Sequence, residues 1–74
     1  MTFNYNKLRG RIVEIFDTQQ EFASKIKCSE HTISRKLSNK VNWKQDEIVT
    51  IINALDLTID DIPEYFFNQK VQEK

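Results

Sequence analysis

The sequence predicts an all-α domain of five helices. Apolar residues recur at three- and four-residue spacing, capping residues stand at the head of most of those stretches, and one Gly and one Pro in 74 residues leave too little turn punctuation for a sandwich or barrel. At this length a single core is barely sufficient, so one domain over residues 1–74 is expected, ordered over about 4–67 with a frayed tail at 68–74.

The first helix is expected from about Asn6 to Phe16, with Tyr5, Leu8, Ile12, Ile15 and Phe16 forming its apolar stripe. Gly10 weakens it by about 1 kcal/mol relative to Ala. Thr18-Gln19-Gln20-Glu21 has the form of a capping box, in which the Thr18 hydroxyl accepts from the Glu21 amide and the Glu21 carboxylate reaches back to the Thr18 amide. The second helix therefore starts there, with Phe22, Ala23 and Ile26 as its buried edge. Ser29 caps a third, which turns Ile33 and Leu37 inward. Asn39-Lys40-Val41 reads as a loop. Asn42-x-x-Gln45 reads as a second box-like cap, opening a fourth helix with the stripe Ile48, Ile51, Ile52 and Leu55. Thr58 caps a short fifth segment whose first turn carries Asp60 and Asp61, where negative charge complements the helix dipole. Pro63 suits the first residue of a further turn.

Composition narrows the chemistry. Cys28 is the single cysteine, which leaves neither an internal disulfide nor a C-x-x-C site and fits a reducing cytoplasm. One histidine beside one cysteine supplies no zinc set. No Ser-His-Asp set and no glycine-rich phosphate loop is present, so neither enzymatic activity nor a cofactor is expected. No apolar run approaches the roughly 20 residues of a membrane span, and the N-terminus lacks the charged-then-apolar order of a signal peptide.

Formal net charge is zero, but the charges are segregated. Residues 19–44 hold six cations (Lys25, Lys27, Arg35, Lys36, Lys40, Lys44) against Glu21 and Glu30. Residues 45–74 hold seven carboxylates against Lys70 and Lys74. A chain polarised in this way can present a basic face to phosphates, although mixed charge tuned for solubility is an equal reading of these sums.

The segment QQEFASKIKCSEHTISRKLS, residues 19–38, resembles the helix-turn-helix of phage Cro-type and lambda-repressor-like regulators. Gln19 opens the unit, Ala23 occupies the fifth place, where two helices cross closely, and Ile26, Cys28, Ile33 and Leu37 fill the apolar positions. The flanking helices extend the resemblance to about residues 4–67. The ninth place, usually Gly because the turn there is left-handed, is Lys27, at a cost of about 1 kcal/mol. The resemblance implies a compact five-helix lambda-repressor-like DNA-binding domain with its helix-turn-helix at about 18–38.

At about 100° per residue, a third helix lying on Ile33 and Leu37 points His31, Arg35 and Ser38 outward. By the family's pattern the base-reading positions correspond to Ser29, Glu30, His31, Ser34 and Arg35. Arg35 suits two acceptors on a guanine, and its alternative is a solvated charge. Glu30 suits a cytosine amino group, but a carboxylate in a first helical turn is equally a dipole partner. Phosphate contacts are expected from Gln19, Asn39, Lys40, Asn42 and Lys44, around two helix N-termini. Cys28 and Trp43 read as packing residues.

Tyr65, Phe66, Phe67 and Val71 gather more apolar surface than a short terminal turn buries easily. They are candidates for a homodimer or partner contact, unless Phe66 or Phe67 closes the core. Two functions follow from the resemblance. The first is a Cro-like repressor of a phage or prophage, occupying double-stranded operator DNA. The second is an antirepressor-like modulator of the same fold that docks on a partner repressor and alters its DNA binding. No membrane and no small-molecule substrate is expected as a partner.

Overall fold

A computed structural model describes residues 2–68. Of the tail expected to fray over 68–74, residues 69–74, Val71 among them, lie outside the described residues, and Asn68 is held by the Asn4 N–H, which donates to its carbonyl at 2.6 Å. Within them the elements are α1 (Asn6–Phe16), α2 (Gln19–Lys25), α3 (Glu30–Leu37), α4 (Gln45–Ala54), a 3-10 turn (Ile59–Asp61) and α5 (Ile62–Phe66). The five-helix, all-α expectation holds, with Phe3 as an isolated bridge residue in the N-terminal segment.

Each helix start has a local cause. The Asn4 Oδ1 accepts from the Asn6 N–H at 2.8 Å, ahead of α1. Thr18 Oγ1 accepts from the Glu21 N–H at 3.1 Å and starts α2, but the return bond from the Glu21 carboxylate, the second half of the expected box, does not form. Ser29 Oγ accepts from the Thr32 N–H at 3.1 Å and starts α3. The fourth helix departs from expectation: its cap is Lys44, not Asn42, and Glu47 closes it by accepting the Lys44 N–H at 2.8 Å. A lysine side chain has no acceptor to offer, so the carboxylate three residues on satisfies an otherwise unpaired amide. Asp61 does the same for the Thr58 N–H at 2.9 Å.

The helix ends share a device that normally belongs to glycine. Lys27, Asn39 and Asp56 follow α2, α3 and α4 with φ of 61°, 66° and 57°. After each, the next amide reaches back to a carbonyl in the last turn: Cys28 N–H to Ala23 O at 2.9 Å, Lys40 N–H to Arg35 O at 2.9 Å, and Leu57 N–H to Ile52 O at 2.7 Å. The left-handed turn anticipated at Lys27 is therefore present, and each such non-Gly residue costs up to about 1–2 kcal/mol of backbone strain.

The core gathers Leu8 and Ile12 of α1, Phe22 and Ala23 of α2, Ile33 and Leu37 of α3, Ile51, Ile52 and Leu55 of α4, and Phe66 of α5, with Tyr5 at its edge. Ile15 was expected on this face but stays 42% exposed. The last turn of α1 is closed instead by Phe16, whose ring lies 5.5 Å from that of Phe22.

Two arginines of α1 tie the layers together. Arg9 donates to the Leu37 carbonyl at 3.0 Å and Arg11 to the Leu55 carbonyl at 3.0 Å, at the C-terminal ends of α3 and α4. Cations there satisfy unpaired carbonyls and complement the helix dipole.

Candidate functional site

The best-defined polar surface is the outer side of α3. Its geometry begins in the turn after α2, where left-handed Lys27 reverses the chain so that Ser29 can cap the next helix. Ile33 and Leu37 are buried, and Ser29, Glu30, His31, Ser34 and Arg35 are all exposed along α3 and its cap. All five are open to solvent, but not all are free. The Ser29 hydroxyl accepts from the Thr32 amide and donates to Thr32 Oγ1 at 2.8 Å. Ser34 Oγ accepts from Gln19 Nε2 at 2.8 Å, which fixes the head of α2 against the middle of α3. Arg35 forms no ion pair among the described residues.

The residues expected to frame this surface fall into two groups. Lys40, Asn42 and Lys44 are exposed in the loop before α4. Asn39 is held inward: its Oδ1 accepts the Phe3 N–H and its Nδ2 donates to the Phe3 carbonyl, both at 2.9 Å. Its amide thus fastens the N-terminal segment to the end of α3.

Sequence reasoning missed Lys36. It is 4% exposed in the midst of the core face of α3. Its ammonium donates to Glu47 Oε2 and lies over the Trp43 ring, 5.5 Å from the centroid. Partial burial by itself would raise the Glu47 carboxyl, but hydrogen bonds from Lys36 and the Lys44 amide, with the charges of both lysines, hold it below its ordinary value. The signal was present: Lys36 is three residues after Ile33 and next to Leu37, on the buried stripe. Trp43 packs as expected, edge-on to Tyr5 at 6.4 Å and to Phe66 at 5.7 Å. Its indole N–H is buried without a hydrogen-bond partner among the described residues.

At the C-terminal end, Phe66 is 1% exposed and belongs to the core, Tyr65 is half-buried against it, and Phe67 is 52% exposed. Among the described residues of the candidate contact cluster, Phe67 is thus the one most available to a partner. Lys7 pairs with Glu64 close by. Cys28 is half-buried with a free thiol. Among the described residues no group of three His, Cys, Asp or Glu could hold a metal ion, and no helix is long and apolar enough to cross a membrane.

The model of the DUF739 family, described as a protein of unknown function, matches residues 1–69. The chain belongs to the DUF739 family. Among solved structures, this DUF739 protein is similar to the solution structure of the modulator of repression (MOR) of the temperate bacteriophage TP901-1 from Lactococcus lactis. The two are 47% identical with a TM-score of 0.81, and the match covers 97% of each chain. None of the curated proteins compared matches the chain. The likeness is therefore to a phage regulatory protein, and it runs through the whole domain, including α2, α3 and the turn between them.

Proposed function

We propose that this DUF739 protein is a modulator of repression of a temperate phage or prophage, which docks on a repressor protein and changes that repressor's occupancy of its operator. The observation that carries this reading is the near end-to-end likeness, at 47% identity, to a phage modulator of repression. The outer side of α3 agrees with it. Ser29 and Ser34 are engaged within the fold and Glu30 presents a carboxylate, leaving few free donors for base edges. Formal net charge is zero, which gives little long-range attraction to a polyanion.

Direct operator binding is the second reading, favoured by exposed Arg35 and His31 on α3 and by exposed Lys25, Lys27, Lys40 and Lys44 around it. Gel shifts with the flanking intergenic DNA separate the two. The modulator reading expects no shift with this protein alone and an altered shift when the repressor from the same locus is added. A sequence-specific shift with this protein alone, unaffected by the repressor, would overturn it.

A further inference from the structure

A second surface lies between α4 and the segment formed by the 3-10 turn and α5. There Trp43, Ile48, Val49, Ile59, Ile62 and Phe67 line a groove of about 520 Å³. Trp43, Ile48 and Phe67 also line a second cavity, of about 300 Å³, with Phe3, Tyr5, Asn42 and Phe66. Ile59 is 75% exposed, Phe67 52% and Val49 49%, so three large apolar side chains meet water around one depression. Scattered exposed apolar residues need no explanation, but a contiguous apolar groove on a small domain marks a contact surface.

Charge identifies what would cover it. Between residues 45 and 68 there are six carboxylates and no lysine or arginine. Glu47 and Glu64 are neutralised by Lys36 and Lys7, and Asp61 is engaged in capping Thr58. Asp60, next to Ile59, is exposed and forms no ion pair among the described residues, whereas Asp46, also exposed, lines a separate cavity with Ile26, Cys28, Glu47 and Thr50. Lys44, the cation nearest in sequence, adds its charge to the field on Glu47. The groove therefore has a floor that is apolar except for Gln45, in a segment where carboxylates outnumber cations and Asp60 stands unpaired beside Ile59. Such a surface selects an amphipathic segment with apolar anchors and flanking cations, and disfavours an acidic one.

We propose that this groove is the docking surface for a basic amphipathic segment of a protein partner, with apolar anchors seated between Val49 and Ile59 and cations facing Asp60. The inference rests on the modulator reading and takes the repressor as that partner. The probe is the purified repressor from the same locus, titrated against the full chain and against Val49→Asp, Ile59→Asp, Asp60→Lys and Arg35→Ala. Wild-type binding that weakens at least tenfold in the two groove variants, weakens in Asp60→Lys and with added salt, and changes less than twofold in Arg35→Ala is the expected result. Asp60→Lys alters charge without touching the core, and thermal unfolding of each variant checks the fold. Repressor binding at wild-type strength in all groove variants would overturn the inference and leave the modulator reading standing. No repressor binding to the wild type would overturn both. A change in the oligomeric state of the protein alone on Ile59→Asp would assign the groove to a second copy. Groove resonances that shift on deletion of residues 69–74 would assign it to the chain's own end. Either result overturns the inference.

Discussion

Lys36 of α3 and Glu47 of α4 form an ion pair in which the lysine side chain is 5% exposed and the glutamate 24%. The same carboxylate accepts the Lys44 amide at the head of α4. One side chain thus fixes where α4 begins and how α3 lies against it. Removing one partner of such a pair leaves the other charge without its counter-ion in a poorly solvated place. Glu47→Ala should therefore destabilise the domain by about 2–3 kcal/mol, somewhat less than for a fully buried pair because Glu47 retains some water. Urea unfolding monitored by Trp43 fluorescence measures it.

The pair also sets a pH dependence. The Glu47 carboxyl is held below its ordinary value in the folded chain. Its contribution is therefore complete above the unfolded-state pKa and is lost as pH falls through the lower folded-state one. Stability should decline on the acid side of the ordinary carboxylate range, and Glu47→Gln should flatten part of that decline. Unfolding midpoints across acidic pH, wild type against variant, test this; parallel profiles would assign the decline to other groups.

Gly10 sits inside α1 with open space where a Cβ would lie. Gly10→Ala should add about 1 kcal/mol, from helix propensity and a less flexible unfolded chain. For a domain of this size that raises the melting temperature by about 4–8 °C.

Lys27 holds φ of 61° between α2 and α3. Lys27→Gly should relieve strain and stabilise by about 0.5–1 kcal/mol, whereas Lys27→Val, β-branched in a left-handed turn, should destabilise. Thermal denaturation of both variants shows whether the two shifts have opposite signs.

Arg35 and Lys40 distinguish reading from anchoring if the direct-DNA reading holds. Arg35→Ala should then cost about 1–3 kcal/mol and relax preference at one base pair, while Lys40→Ala should weaken all sequences alike and shallow the salt dependence. Binding-site selection on random duplex, repeated with each variant, would register the difference; unchanged affinity in both would reject that mode of docking.

The helices and the inward faces of α2 and α3 were legible because their signals are local. Thr18 and Ser29 announce helix starts, and the spacing of Ile33 and Leu37 orients α3. The start of α4 was misplaced because Asn42 looks like a cap, whereas the bond that forms comes from Glu47, a residue whose position also depends on Lys36. Lys36 itself was read as part of a basic surface because an isolated lysine is rarely buried; only its place beside Ile33 and Leu37 hinted otherwise. The groove was not legible. Val49 lies off the apolar stripe of α4, and Ile59 acquires a neighbour only when the 3-10 turn folds against that helix.

The grip of Arg9 and Arg11 on the carbonyl ends of α3 and α4 bears on how the domain is put together. The pair formed by α2 and α3 looks like a portable cassette in the sequence, yet the Leu37 carbonyl at the end of α3 is satisfied by a guanidinium contributed from the opening helix. Cut free at residue 18, that cassette would lose a lid on its last turn as well as Leu8 and Ile12 beneath it. Grafting α2 and α3 alone onto another scaffold would then carry over the letters of the motif without its rigidity.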